Sequence, residues 1–207
     1  MPTDVTPTPF ELPVVSNAPR ERADATRNRE RILDSAQRLF AERGVDCVSM
    51  DAIAEAAAVG KGTLFRRFGD RSALVRAVLE ETETAFQEGF IRGPAPLGPG
   101  APPTERLIAF GNALLDLIES RGDLLLAADT GAPGTRFRHA VYGAYRAHVV
   151  TLLRECDAGA DLDLDVTADA LLSALSVELV VHQRHGRGIA LARLKAGWEQ
   201  LARAVTA

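Results

Sequence analysis

Apolar residues recur along this chain at helical spacing, and no segment alternates cleanly enough to form a strand. The first nineteen residues show neither pattern. They carry Pro2, Pro7, Pro9, Pro13 and Pro19 among Thr and Val, and are expected to form a disordered tail. A helix is predicted from near Asp24 or Thr26, with an inward stripe of Ile32, Leu33, Ala36, Leu39 and Phe40 and a stop at Gly44. Ser49 then stands where an N-cap belongs, with Val48 and Ile53 placed to staple the helix start. That helix closes by Ala57, and Ala58-Val59-Gly60 make a turn. A short third helix spans Lys61 to Phe68, with Val59 and Leu64 repeating the staple. Asp70 caps a fourth helix reaching about Glu88, with Leu74, Val75, Val78, Leu79 and Phe86 on its apolar side. Glycine and proline crowd residues 93–103, which excludes a helix there and makes a surface loop. Five more helices are predicted at 104–120, 123–130, 135–156, 166–185 and 190–205. The fold class is therefore all-α, with about nine helices.

Two short helices joined by a tight turn, after a longer one, form a helix-turn-helix unit, here Ser49 to Phe68. Leu64 and Phe68 face inward. Lys61, Thr63, Arg66 and Arg67 are left facing out, on a helix able to enter a major groove. Gly62 lets its backbone approach a partner closely. The overall charge of −4 argues naively against nucleic acid, but its distribution reverses the argument. Residues 20–76 hold 12 Lys/Arg against 9 Asp/Glu, whereas residues 77–207 hold 12 against 17. A basic module thus precedes an acidic body.

Thr26 to about Glu81 resembles the N-terminal domain of the TetR family of one-component repressors over its whole length. The resemblance rests on Ile32-Leu33-Asp34-Ser35-Ala36, Leu39-Phe40, Gly44, Ile53-Ala54, Ala58-Val59, Lys61-Gly62-Thr63-Leu64-Phe65, Phe68 and Arg71. It implies a DNA-binding domain at 20–69 with the motif at 49–68, a connecting helix at 70–88, and a ligand-binding and dimerisation domain at 89–207. It further implies a homodimeric regulator, usually a repressor, released from a palindromic DNA operator by a small-molecule effector. Lys61, Gly62, Thr63, Phe65, Arg66 and Arg67 fall on the recognition helix, Arg71 on a phosphate-contacting position, and Ser49 on the cap of the first motif helix. Three positions depart from the family pattern. Gly60 stands where serine is frequent, Phe65 where tyrosine is common, and Arg67 where histidine is frequent. An altered operator preference is expected.

The second half matches the family only in helical layout. The 135–156 segment is apolar on most sides, with Phe137, Val141, Tyr145, His148, Leu152 and Cys156 on one stripe and Tyr142, Val149 and Leu153 on another. It is expected at the centre of the bundle. The family's effector site lies among these helices, so Phe110, Leu114, Tyr142, Tyr145 and His148 are candidate lining residues for a hydrophobic or amphipathic effector. Each serves equally well as plain core. The last two helices offer Leu175, Leu179, Leu194, Trp198 and Leu201 as a dimer interface, the alternative being packing within the chain.

Other chemistries are weaker. Glu178, His182 and His185 share a helix face and could hold zinc, which would fit a metalloenzyme, but no nucleophile–base pair or phosphate loop accompanies them. Asp161, Asp163 and Asp165 lack the glycine and distal glutamate of a calcium loop, and Asp165 is expected to cap the next helix. Cys47 and Cys156 lie in apolar company and read as inert buried thiols. No metal, cofactor or catalytic residue is expected. Without a leader or a membrane-length apolar run, the expected place is cytoplasmic, associated with the nucleoid, with no membrane partner.

Overall fold

A computed structural model describes residues 18–128, 137, 140–156 and 162–207. Most of the expected tail, the start of the 135–156 segment and Asp161 lie outside the described residues. The helices are α1 (Ala18–Arg43), α2 (Met50–Ala56), α3 (Lys61–Phe68), α4 (Arg71–Arg92), α5 (Pro103–Ala128), α6 (Ala140–Glu155), α7 (Leu164–Ala174), α8 (Val177–Val181) and α9 (Leu191–Val205). A 3-10 turn (Val45–Cys47) follows α1, and a π-turn (His182–Gly186) follows α8. No strand occurs among the described residues.

Local chemistry sets the ends of the N-terminal helices as expected. Ser49 Oγ accepts from Ala52 N–H at 3.2 Å, and Asp70 accepts from Ala73 N–H at 2.7 Å. Val48 and Ile53, the staple pair, are both buried. Helix α1 starts earlier than the capping residues suggested, at Ala18, within the stretch expected to be a tail. Helix α4 runs a turn further, to Arg92, because Phe90 extends its apolar stripe and is buried.

Two apolar clusters organise the chain. The first joins Ile32, Ala36, Leu39 and Phe40 of α1 with Ile53, Leu64, Leu74 and Val75. It also takes in Leu124 and Ala127 from the far end of α5. The second contains Phe90, Leu107, Phe110, Leu114, Ile118, Tyr145, Val149, Leu172 and Trp198. Helix α5 takes the central place expected of 135–156, since it packs against α4, α6, α8 and α9. The two helices expected at 104–120 and 123–130 are one helix with a bend at Arg121, whose φ and ψ are −137° and 15°. The bend turns Leu124 and Ala127 into the N-terminal cluster, so α5 belongs to both cores.

The single helix expected at 166–185 is broken instead. Helix α7 ends at Ala174, Ser176 starts α8, and the backbone widens into the π-turn. Arg184 locks that turn onto α5, donating to both Glu119 oxygens at 2.7 and 2.6 Å and to the Ile189 carbonyl at 2.5 Å. The cap of α7 is Asp163, which accepts from Asp165 N–H and Val166 N–H. The expected cap, Asp165, pairs with Arg146 at 2.9 Å.

Candidate nucleic-acid interface and ligand cavity

Leu64, fully buried in the N-terminal cluster, fixes how α3 is rotated. That rotation leaves Lys61, Gly62, Phe65, Arg66 and Arg67 exposed and Thr63 half-buried. Phe65 is 46% exposed, a large aromatic held in water beside two guanidinium groups. A Cβ built on Gly62 meets nothing within 4 Å, so no contact within the chain requires glycine there. Gly60 has extended backbone angles and caps α3 without a side chain. Phe68 is half-buried, under the Arg29 guanidinium at 6.0 Å from the ring centre.

Two expected contact residues are partly engaged within the chain. Lys61 Nζ lies 2.5 Å from Asp51 Oδ2, an exposed pair that contributes little to stability and is easily exchanged for another anion. Arg71 is not a free phosphate ligand at the start of α4. Its Nη2 donates to the Val45 carbonyl, and its Nε is buried without a partner among the described residues. It acts as a strut between α4 and the turn after α1, with Asp46 3.6 Å away.

In the second half, a cavity of about 380 Å³ opens among α4, α5, α6, α7 and the start of α8. Leu114, Tyr142 and Tyr145 line it, joined by Leu117, Ile118, Leu125, Val141, Leu172 and Val177. Phe110 and His148, proposed from sequence as lining residues, do not. They are packed behind the cavity in an aromatic stack, His148 lying 4.4 Å from Phe90 and 5.2 Å from Phe110 between ring centres. Tyr142 donates to Asp169 at 2.7 Å, which orients its ring.

Sequence reasoning missed Arg76, Glu83, Ser176 and Glu178 in the lining. A signal for Glu83 was present. Leu79, Glu83, Phe86 and Phe90 follow i, i+4, i+7, i+11 spacing, so a carboxylate interrupts the inward stripe of α4. Burial, and then the neighbouring Glu80, push its carboxyl above the usual range. Burial and the Glu83 charge likewise raise Tyr145. Glu178, His182 and His185 do not form a metal-holding group, and no group of three or more such ligands occurs among the described residues.

His148 makes stability depend on pH. Burial, with the nearby Arg106 charge, pushes its imidazole down to about 4. Between its ordinary value and that value, the unfolded chain binds the proton and the folded chain does not. The stabilising contribution is therefore complete above about pH 6.5 and is lost as pH falls towards 4. The full shift corresponds to about 3 kcal/mol, and discounting for the solvent-exposed part of the ring leaves roughly 1–2 kcal/mol. Urea melts at pH 7.5 and 4.5 should show that much more acid destabilisation in the natural chain than in His148→Phe. Equal losses in both would refute the assignment.

The dimer candidates divide in the same way. Leu175 and Trp198 are buried in the chain's own core, at 4% exposure each. They are thus unavailable to a partner. Leu179 and Leu201 remain exposed, with Leu194 half-buried between them and the core. Cys47 is exposed rather than buried, and Cys156 is half-buried with Thr104 Oγ1 3.6 Å from its sulfur. No helix among the described residues is long and apolar enough to cross a membrane.

A helix-turn-helix unit with an exposed basic second helix is thus mounted on a helical body that encloses an apolar cavity. Residues 32–78 match the family model described as "Bacterial regulatory proteins, tetR family". That match falls on the helix-turn-helix segment and its flanking helices, and the helical body beyond it is matched only at the level of fold. Curated relatives include HTH-type transcriptional regulators of Staphylococcus aureus strains USA300 and RF122, 46% and 43% identical over 65 residues. Those matches span 31% of this chain and 35% of the relatives' length. A TetR-like regulator from Rhodococcus sp. RHA1 is similar across 85% of this chain and 93% of its own, at 25% identity and a TM-score of 0.56. The Thermus thermophilus repressor FadR, solved with lauroyl-CoA, shares the fold at 23% identity and a TM-score of 0.65, covering 84% of this chain and 93% of its own.

Proposed function

We propose that this protein is a homodimeric, sequence-specific DNA-binding regulator that represses from a palindromic operator and is released by a hydrophobic or amphipathic effector in the α4–α7 cavity. The observation that carries this reading is the junction between cavity and DNA-binding core. Arg76, Leu125 and Ala128 line the cavity, while their neighbours Val75, Leu124 and Ala127 lie in the N-terminal core. Arg76 Nη1 donates to the Ala128 carbonyl at 2.9 Å, tying α4 to the end of α5. A ligand that displaces α5 beyond its bend must therefore move α4, and with it the spacing of two recognition helices in a dimer.

The recognition helix supports DNA as the target through Arg66 and Arg67, which suit guanine edges, and through the open backbone at Gly62. Leu179, Leu194 and Leu201 of α8 and α9 are the surface proposed for the two-fold partner. Lys61, Thr63, Phe65, Arg66 and Arg67 are proposed as the DNA-facing set. Ser49 holds the start of α2, and Arg71 braces α4, from the flanks. Two FadR regulators among the structural neighbours, from T. thermophilus and Bacillus subtilis, were solved with lauroyl-CoA and stearoyl-CoA, consistent with effectors of long apolar body.

Selection of bound fragments from random genomic DNA tests this reading. An enriched inverted repeat is expected, with half-sites about one helical turn apart. Uniform, salt-sensitive binding without a recovered repeat would leave only a basic surface and overturn it.

A further inference from the structure

We infer that the α4–α7 cavity selects an amphiphile with a cationic head group, held by the Glu83 carboxylate and the aromatic rings of Tyr142 and Tyr145. This rests on the cavity being the effector site and adds the charge of what enters it.

Among the described residues, the charged groups lining the cavity are Arg76, Glu83 and Glu178. Arg76 is half-buried, its Nη1 donating to the Ala128 carbonyl. Seven residues on a helix separate it from Glu83, about 10 Å along the axis, and no ion pair among the described residues joins the two. Glu83 is half-buried and lines the cavity with Leu114, Leu117 and Ile118, while its neighbour Glu80 is paired with Arg29 at 2.8 Å. A half-buried carboxylate in an apolar lining, with no ion-pair partner among the described residues, is poorly compensated, and burial raises its carboxyl. An ammonium group entering here supplies the missing charge. Aromatic rings attract such a cation further, most strongly a quaternary one that cannot hydrogen-bond to water.

An anionic head group meets the opposite situation. A carboxylate or phosphate beside Glu83 adds like charge in a poorly solvated space. The apolar walls accept the same alkyl chain in either case, so the head group decides the preference. This distinguishes the chain from neighbours of the same fold that were solved with acyl-CoA.

The test compares three probes of equal chain length by calorimetry on the full chain at pH 7.5, below micelle formation. They are decyltrimethylammonium, decanol and decanoate, each titrated into the natural protein and into Glu83→Gln. The ammonium probe is expected to bind at least about tenfold more tightly than decanoate, with decanol between them. Glu83→Gln should remove most of that advantage while changing decanol affinity by no more than about twofold. A thermal melt of Glu83→Gln confirms its fold, and relief of the buried charge should leave it at least as stable as the natural chain. Decanoate binding as tightly as the ammonium, or a preference unaltered in Glu83→Gln, overturns the inference. Decanol and decanoate binding without a gain for ammonium sinks the head-group assignment alone and leaves the cavity as effector site. Failure of all three probes to bind removes both.

Discussion

Replacing Arg66 and Arg67 with alanine should lower affinity for the selected operator by at least about a thousandfold while leaving the helical fold and its melting temperature nearly unchanged. Both side chains are exposed on α3 and neither belongs to an apolar cluster, so their loss opens no cavity. A guanidinium paired with a guanine edge contributes about 1–3 kcal/mol of discrimination, and a two-fold dimer loses four of them. Even partial use of that set reaches about 4 kcal/mol, which is a thousandfold. The salt dependence of the residual binding should also flatten, by about one for each phosphate contact removed. Gel-shift titrations at two salt concentrations measure both quantities. Retained affinity with an unchanged salt slope would show that α3 does not carry recognition, and would falsify the proposed orientation.

The largest stability effect is expected from Gly111→Ala. A Cβ at this position falls 2.0 Å from the Trp198 ring, closer than any real contact permits. The glycine is therefore a notch that admits the indole where α9 crosses α5. The indole N–H donates there to the Leu107 and Ile108 carbonyls, at 3.2 Å each. The ring is rigid and 4% exposed, so it has nowhere to turn. Overpacking of this kind costs about 3 kcal/mol, reduced by the roughly 1 kcal/mol that alanine gains over glycine within a helix. At about 2–4 °C per kcal/mol for a chain of this size, the melting temperature should fall by about 4–8 °C at fixed protein concentration. Trp198→Leu destabilises by emptying the same space, and the double variant should lose less than the two single losses added together. A Gly111→Ala protein melting within a degree of the natural one would mean that α5 and α9 separate freely.

The two predictions concern opposite kinds of residue, and the sequence exposes them unequally. Arg66 and Arg67 are legible because a short helix has few ways to be oriented. Once Leu64 is assigned to the core, the arginines must face out. Gly111 is not legible. It sits in an apolar helix without any local need for glycine, and its partner lies 87 positions later, on a helix whose register against α5 no local pattern specifies.

The cavity shows the same division. Of the five candidates that the family's layout implies, Tyr142, Tyr145 and Leu114 line the cavity. Phe110 and His148 pack instead, because they stack on Phe90, which the expected fourth helix stops short of. Trp198 and Leu175 stand in the expected dimer interface because each lies on the apolar stripe of one of the last two helices. Such a stripe reports burial without saying whether the burying surface belongs to the same chain.

The sequence by itself determined the all-helical class, the ends of α2 and α3, the start of α4, and the outward set on α3. Each depends on interactions within about one helical turn: caps, staples, and the period of apolar residues. Only the tertiary structure decided that α5 is the central helix, that it bends at Arg121 to enter the DNA-binding core, and that Glu83 meets Tyr145 in one cavity. Those outcomes depend on how helices far apart in sequence cross one another. Crossings are chosen by side-chain volumes fitting together across an interface, such as an indole into a glycine notch. A pattern along one strand of chain carries the faces of helices but not the complementarity between them.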